Sequence, residues 1–389
     1  MGGLLYPHTN PHALSRRSFV KACTTAGAAA ALGSLGFGLT SCEKPEEFFS
    51  GVREIRDSID RVIEIPAASK LTRVYFTSTL AQVFCLTMAP DLIAGTATSF
   101  NTDQLAYLPI GTERLDNMGS LSGGGAIDVE ALRSKGVQMI FSISGTDLTD
   151  VNINDALRLQ EQSGIPVVLI DGSFDRIGET YELLGDCLGR QERAIELARY
   201  CEDIYRRVTE AVSLVPESER VTYYFAEGEE GLLSEPNVSQ HSLAFLAAGG
   251  VNVAADVDPD EEGRRAGTLN NRNMVHVTLD EVRAWDPDYI ISWDYESRSG
   301  ASRRIRTNEA WADVRAVNQG RVFTMPNLPF AFCDRPPGLN RFLGIQWLAN
   351  LWYPDYYDVD MVEVVRDFYS TCYWRTISRE QAQAVLSPV

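Results

Sequence analysis

The sequence predicts an α/β protein of two Rossmann-like βα lobes joined by one long helix, with a ligand cleft between the lobes. Three observations predict it. From residue 70 to about 175, short β-branched and aromatic runs alternate with helical stretches. From Arg176 to Leu214 the strand signal vanishes, and apolar residues recur at helical spacing. From Val221 the βα alternation resumes. A helical link between two such lobes leaves a cleft, and in open α/β sheets ligands sit at the carboxyl ends of the strands.

Residues 1–42 read as a targeting leader, not a domain. Ser15-Arg16-Arg17-Ser18-Phe19-Val20-Lys21 is polar around paired arginines, Ala22 to Leu39 is apolar and small, and Leu39-Thr40-Ser41-Cys42 follows. The first piece resembles a twin-arginine (Tat) export signal. The last resembles a bacterial lipobox, in which the leader is cut before Cys42 and the thiol is lipidated. The competing reading is a transmembrane helix, for which the Ala/Gly-rich stretch is only about the length of a short span. Residues 43–69 read as a charged tether. The expected location is therefore extracytoplasmic, anchored to the cell membrane through Cys42.

Residues 70–175 read as the N-terminal lobe. Strands are predicted over Leu71–Thr77, Leu92–Thr98, Gln138–Ser144 and Pro166–Asp171, and helices over Leu80–Met88, Asp128–Lys135 and Asn154–Ser163. Pro90, Gly136 and Gly164 close those helices. Residues 176–215 read as inter-lobe helices, broken at Gly185 and Gly189. Their apolar stripe is Ile195, Leu197, Ala198, Cys201, Ile204, Tyr205 and Val208. Residues 216–389 read as the second lobe. It has strands over Val221–Ala226, Tyr289–Trp293 and Val322–Met325, and helices over His241–Ala248, Thr278–Ala284 and Ala310–Val317. Helices over Asn340–Trp352, Met361–Trp374 and Arg379–Leu386 end the chain.

Composition narrows the function. The net charge is −18, and the leader holds three basic residues and no acid, so the chain beyond it carries −21. Such an acidic chain is a poor general binder of nucleic acid. Five of the seven cysteines lie beyond Cys42, an odd number without a CxxC, which argues against a disulfide framework or a thiolate zinc site. Only His241 and His276 remain after the leader, too few for a His-rich zinc or manganese site. No Walker, nucleophile-elbow, HExxH or dinucleotide-binding signature is present, so a secreted enzyme finds no motif.

Three groups of residues are candidates for the cleft. Phe100, Trp293, Tyr295, Phe330 and Phe332 follow predicted strands and could wall a planar ligand; inter-lobe packing is the competing reading. Arg335 and Arg341 flank a Pro-Pro-Gly turn and could fork onto an anion, against the alternative of a salt bridge within the lobe, to which Arg341 is the more prone. Arg298, Arg303, Arg304 and Arg306 read as a solvated loop. His241 sits at a helix start, where anions bind but where a histidine is also a common cap.

The chain resembles the substrate-binding proteins of ABC importers for ferric siderophores, haem and cobalamin. Four stretches carry the resemblance: Met118-Gly119-Ser120 with Ile127 to Leu132 and Val137 to Ile140; Ala248 to Ala254; Val277 to Val282 with Trp285 to Ile291; and Arg335 to Arg341 with Gly344, Trp347-Leu348 and Tyr353-Pro354. Gly136-Val137-Gln138 departs from the family's usual Pro-Asp. The resemblance implies a monomeric, non-enzymatic receptor with no intrinsic cofactor and no resident metal. It would capture an iron chelate, haem or corrinoid and deliver it to an ABC permease and its ATPase. It also implies one acidic docking residue per lobe. Glu130 matches the first position, and Asp280, where Glu is usual and Glu281 is adjacent, matches the second. A bare oxyanion such as molybdate or tungstate, bound by Arg335 and Arg341, is the alternative within the same fold.

Overall fold

The computed structural model describes residues 51–258, 274–293 and 301–387. The leader with Cys42, the cleft candidate Tyr295, and Arg298 of the arginine run lie outside the described residues.

The stretch read as a tether is, from residue 51, part of the folded unit. β1 (Val52–Arg56) pairs antiparallel with β2 (Val62–Pro66). Strict alternation builds this hairpin. Ile55, Ile63 and Ile65 are buried in the core, while Glu54 and Glu64 face outward. Arg53 takes an inward position and pairs with Asp186 at 3.2 Å. Arg61 grips Asp57 through two nitrogens (2.9 and 2.6 Å) and donates to the Val167 carbonyl at 2.9 Å. The charges that suggested a solvated tether are thus the outer face and clasps of a hairpin.

The first lobe is a parallel sheet in the order β3 (Val74–Phe76), β4 (Met139–Ser144), β5 (Val167–Asp171). Its strands are apolar along nearly their whole length because helices cover both faces. These helices are α1 (Thr79–Met88), α2 (Val129–Ser134) and α3 (Asp150–Ser163), N-capped by Ser78, Asp128 and Thr149. The expected strand over Leu92–Thr98 does not form. Ile93 and Thr96 make only isolated bridges, to Val74 and Asn117. The backbone there runs tightly beside its neighbour, since a Cβ on Gly95 would lie 2.7 Å from the Asp116 carbonyl oxygen.

Two helices follow, α4 (Ile177–Leu188) and α5 (Gln191–Ser213). Gly189, at φ 64°, makes the break. Gly185 does not break the chain: it stays inside α4, where a Cβ would come within 2.4 Å of the Ala194 Cβ on α5. The glycine is what lets the two helices approach. The 23-residue α5 is about 35 Å long at its standard rise. It buries Ala194, Leu197, Cys201, Ile204, Val208 and Val212, while Ile195 and Tyr205 from the expected stripe stand exposed.

The second lobe is a parallel sheet ordered β11, β10, β6, β8, built from β6 (Thr222–Ala226), β8 (Val251–Asn252), β10 (Tyr289–Ser292) and β11 (Val322–Thr324). A small antiparallel pair, β7 (Leu233–Ser234) with β9 (Val275–His276), lies beside it. The expected His241–Ala248 helix is a 3-10 turn, Gln240–Ser242, running into α6 (Leu243–Ala247). Thr278 and Glu281 form a capping box on α7 (Leu279–Trp285).

The arginine run read as a loop carries α8 (Ala301–Thr307). Arg304 pairs there with Glu229 and Glu230, and Arg306 donates to Ser302. The predicted Ala310–Val317 helix is split into a 3-10 turn, Glu309–Trp311, and one helical turn, Arg315–Asn318, because Asp286 and Asp288 hold the Arg315 side chain.

The C-terminal helices are α9 (Arg341–Trp352), α10 (Met361–Tyr373) and α11 (Arg379–Leu386). α9 is buried almost all round. One continuous apolar core runs from the first sheet through α5 and α9 to one face of the second, where Tyr223 and Phe225 of β6 enter it. Tyr224 and Ala226 face a smaller cluster on the other side. The five cysteines of the described residues are buried free thiols within the larger core.

Candidate functional site

The carboxyl ends of the strands from both lobes converge on the turn Asp334 to Arg341. From the first lobe come Gly145 after β4 and Phe174 after β5, whose ring faces Arg341. From the second come Glu227 after β6, Trp293 after β10, and Gln240-His241. The approach is close. A Cβ on Gly145 would lie 2.9 Å from Gln240 Oε1 and 3.1 Å from Pro337 Cγ, and one on Gly338 would lie 2.7 Å from Leu80 Cδ1 of α1. Gly145 therefore sits at a close lobe-to-lobe contact, where a side chain would press on Gln240 and Pro337. Just after β3, Thr77 Oγ1 donates to Ser142 Oγ of β4 at 3.1 Å, and Ser144 Oγ accepts from the Thr146 amide at 3.4 Å.

The two arginines of the turn have opposite surroundings. Arg335, in the left-handed region at φ 53°, is enclosed by its own lobe. Its Nε and Nη2 donate to Glu227 at 2.9 and 2.7 Å, and Nη2 also donates to Glu235 at 2.9 Å. Asp334 stands 3.4 Å away, an ion-pair distance without a hydrogen bond. The Trp293 ring lies 4.7 Å from the guanidinium carbon. Arg335 is thus the arginine in the intra-lobe salt bridge, the fate to which the sequence made Arg341 more prone.

Arg341 heads the buried helix α9 and is itself 1% exposed. Its Nη2 donates to the Gln240 carbonyl at 2.5 Å, and its guanidinium carbon lies 5.6 Å from the centre of the Phe174 ring. Among the described residues its Nε and Nη1 donors meet no partner, and neither does Gln240 Oε1. A buried guanidinium with two unsatisfied N–H groups is costly unless something accepts from them. Burial pushes the Arg341 pKa down to about 10, with Asp334 opposing, so it remains charged at neutral pH.

His241 is buried, and its Nδ1 makes a very short hydrogen bond to Asp334 Oδ1. Burial alone would raise the Asp334 carboxyl, but His241, Arg335 and Arg341 together hold it below the usual carboxylate range. The carboxylate is the acceptor, so Nδ1 carries the proton. Glu227 behaves differently. Full burial pushes its carboxyl up to about 7, Arg335 opposes, and the neighbouring Glu235 adds to the rise. Arg335 is held charged by Glu227, Asp334 and Glu235 against its burial.

Two of the aromatic candidates pack on each other across the lobes. Phe100 meets Phe330 edge to face at 5.8 Å, beside a hydrogen bond from Gln104 to the Pro329 carbonyl at 3.0 Å. Phe332 is fully enclosed, and its carbonyl oxygen would lie 2.5 Å from a Cβ on Gly344, which explains that glycine inside α9. Trp293 lies under Arg335.

The proposed docking residues stand apart from this site. The Glu130 and Asp280 side chains are 84% and 89% exposed, each in the first turn of a short helix. Each pairs with an arginine three residues on, Arg133 at 2.7 Å and Arg283 at 2.8 Å. The two lobes present the same local device.

Sequence reasoning missed Glu227, Glu235, Asp334 and Gln240. The signals were local: an acid directly after an apolar strand, and an acid directly before the arginine of the turn. Among the described residues no group of three or more His, Cys, Asp or Glu is arranged to hold a metal ion. Where three carboxylates do converge, a guanidinium stands among them.

A family model described as periplasmic binding protein matches residues 86–328, more than half of the chain. The molybdate-binding protein MolA of Haemophilus influenzae is 24% identical over 346 residues, covering 82% of this chain and 91% of MolA. Its molybdate-bound structure superposes with a TM-score of 0.63 at 21% identity, covering 84% of this chain and 99% of that one. An ABC transporter solute binding protein from Sulfurospirillum deleyianum superposes with a TM-score of 0.73 at 23% identity, covering 86% and 98%. A periplasmic haem-binding protein from Roseiflexus gives 0.54 at 16% identity, covering 72% and 98%. The fold is therefore shared by proteins whose ligands differ widely in size.

Proposed function

The chain belongs to the periplasmic binding protein family, the extracytoplasmic solute receptors of ABC importers, and we propose that its solute is a small tetrahedral oxyanion of the molybdate or tungstate class. The observation that carries this reading is Arg341, buried between the lobes with two guanidinium donors that no group among the described residues accepts from. A bare oxyanion supplies acceptor oxygens on a compact body, which suits a guanidinium fork. The likeness to MolA supports the same class.

An iron chelate, haem or corrinoid, the class that the family resemblance favours, needs broad aromatic walls. The engagement of Phe100, Phe330 and Phe332 in packing weighs against it. It is the competing outcome of the ligand test.

Members of this family bind solutes and hand them to a permease; they are not enzymes. The finer parts of the reading are that Cys42 carries a lipid after twin-arginine export, that the receptor is a monomer without an intrinsic cofactor, and that Glu130 and Asp280 meet the permease. Support for the anchor lies in the leader. Among the described residues no helix is long and apolar enough to cross a membrane.

The test is a thermal-shift panel on the full-length chain with molybdate, tungstate, sulfate, haemin, cobalamin and ferric siderophores. A ligand at a hundred times its dissociation constant stabilises by about 2.7 kcal/mol, a melting shift of a few degrees. Shifts with molybdate and tungstate are expected. A shift with haemin, cobalamin or a siderophore alone would move the reading to the larger class.

A further inference from the structure

Arg341 is buried out of solvent's reach, and so are the two donors, Nε and Nη1, that find no partner among the described residues. An anion that meets them needs something to move first. The lobes share one continuous apolar core, so wide opening of the cleft is disfavoured. The movement falls to the groups that cover the guanidinium.

Phe174, Cys333, Asp334 and Gln240 all act on Arg341. The first three are fixed. The Phe174 ring is boxed between Tyr205 of α5 at 5.6 Å and Phe342 of α9 at 4.9 Å. Asp334 is tied to His241 by its very short hydrogen bond. Cys333 is fully buried, with its amide turned to the Met325 sulfur at 3.3 Å.

Gln240 is different. Its backbone is pinned: the carbonyl accepts from Arg341 Nη2 and from the Leu243 amide, and the next residue, His241, is held by Ser239 and Asp334. Its side chain is not. Oε1 is buried beside Gly145 of the other lobe without a hydrogen bond, and among the described residues the amide nitrogen has no acceptor. A buried amide oxygen without a donor is weakly held, since turning outward gives it water. Gly145, having no side chain, leaves the carboxamide its seat: a Cβ there would lie 2.9 Å from Oε1.

We propose that Gln240 is the moving member of the anion site: its side chain swings off Gly145 to admit the oxyanion to Arg341, then closes with its amide N–H donated to an anion oxygen. This rests on the oxyanion reading of Arg341. The bound anion accepts from Arg341 Nε and Nη1 and from Gln240 Nε2. It supplies the partner that the carboxamide lacks, so closure is favoured with the anion and not without it. Entry then waits on the open side chain, and release waits on the breaking of the amide hydrogen bond.

The test uses the full-length protein and radiolabelled molybdate, with association followed by rapid filtration and release by a chase of unlabelled molybdate. Gln240→Ala removes cover and donor together. Association is expected to rise about threefold and release about tenfold or more. Gln240→Met keeps the cover without the amide, so release alone should rise, and its similar size guards against a folding defect. Gly145→Ala takes the seat away from an intact Gln240, so association should rise there too.

Unchanged rates in Gln240→Ala would overturn the proposal. Faster release with unchanged association in both Gln240→Ala and Gly145→Ala would overturn the gate. A wild-type protein that binds neither molybdate nor tungstate would remove the oxyanion reading itself, and the role of Gln240 with it.

Discussion

Arg341 and Arg335 are six residues apart and chemically identical, yet the fold gives them different work. Arg335 neutralises acids of its own lobe. Its removal would take from the buried Glu227 the guanidinium that donates two hydrogen bonds to it. Arg335→Ala should therefore cost about 3–5 kcal/mol of stability, read as a lowered melting temperature or denaturant midpoint. Arg341→Ala should instead weaken oxyanion binding by at least about 30-fold, measured by calorimetry. Arg341→Lys should recover little of that loss, because an ammonium cannot present the fork. Both arginines were legible in the sequence as candidates, because the Pro-Pro-Gly turn marks a rigid corner. Which of them was paired was not legible. That depends on Glu227 and Glu235, about a hundred residues earlier in the chain, arriving at the same corner.

The elements that show through in the sequence are those with one consistent pattern. The central strands β4, β5 and β6 are apolar runs, and the long α5 has a single stripe, so both read correctly to within a few residues. The hairpin of β1 and β2 stayed hidden because inward isoleucines alternate with charges, two of which, Arg53 and Asp57, are themselves buried by pairing. The Ser/Gly-rich, arginine-dense approach to α8 hid a helix in the same way. Gly185 read as a break because glycine disfavours helix, whereas its role is close packing. Gly185→Ala should consequently destabilise the protein by about 1–3 kcal/mol of overpacking, despite the helix propensity gained. Ala194→Gly in the same chain should restore most of the loss, and thermal unfolding of the two variants and their combination measures the coupling.

Across the whole molecule, the layout of lobe, stiff helix and lobe was legible from the rhythm of strands and helices. The continuous core through α5 and α9 was not, because it is assembled from residues far apart in the chain. That core supports a receptor whose lobes move little on binding. Glu130 and Asp280, exposed on separate lobes, should then act on delivery alone. Reversing both charges, Glu130→Arg with Asp280→Arg, should leave the oxyanion dissociation constant unchanged while lowering uptake by cells or permease vesicles. The central claim is that Arg341 is the anchor of a small anion between the lobes. The most direct test is the crystal structure of the full-length protein with tungstate, the metal located by its anomalous scattering. The account predicts one strong site whose oxygens lie within hydrogen-bonding reach, about 3 Å, of Arg341 Nε and Nη1. Tungsten bound elsewhere, with those two donors still unpartnered, would contradict it.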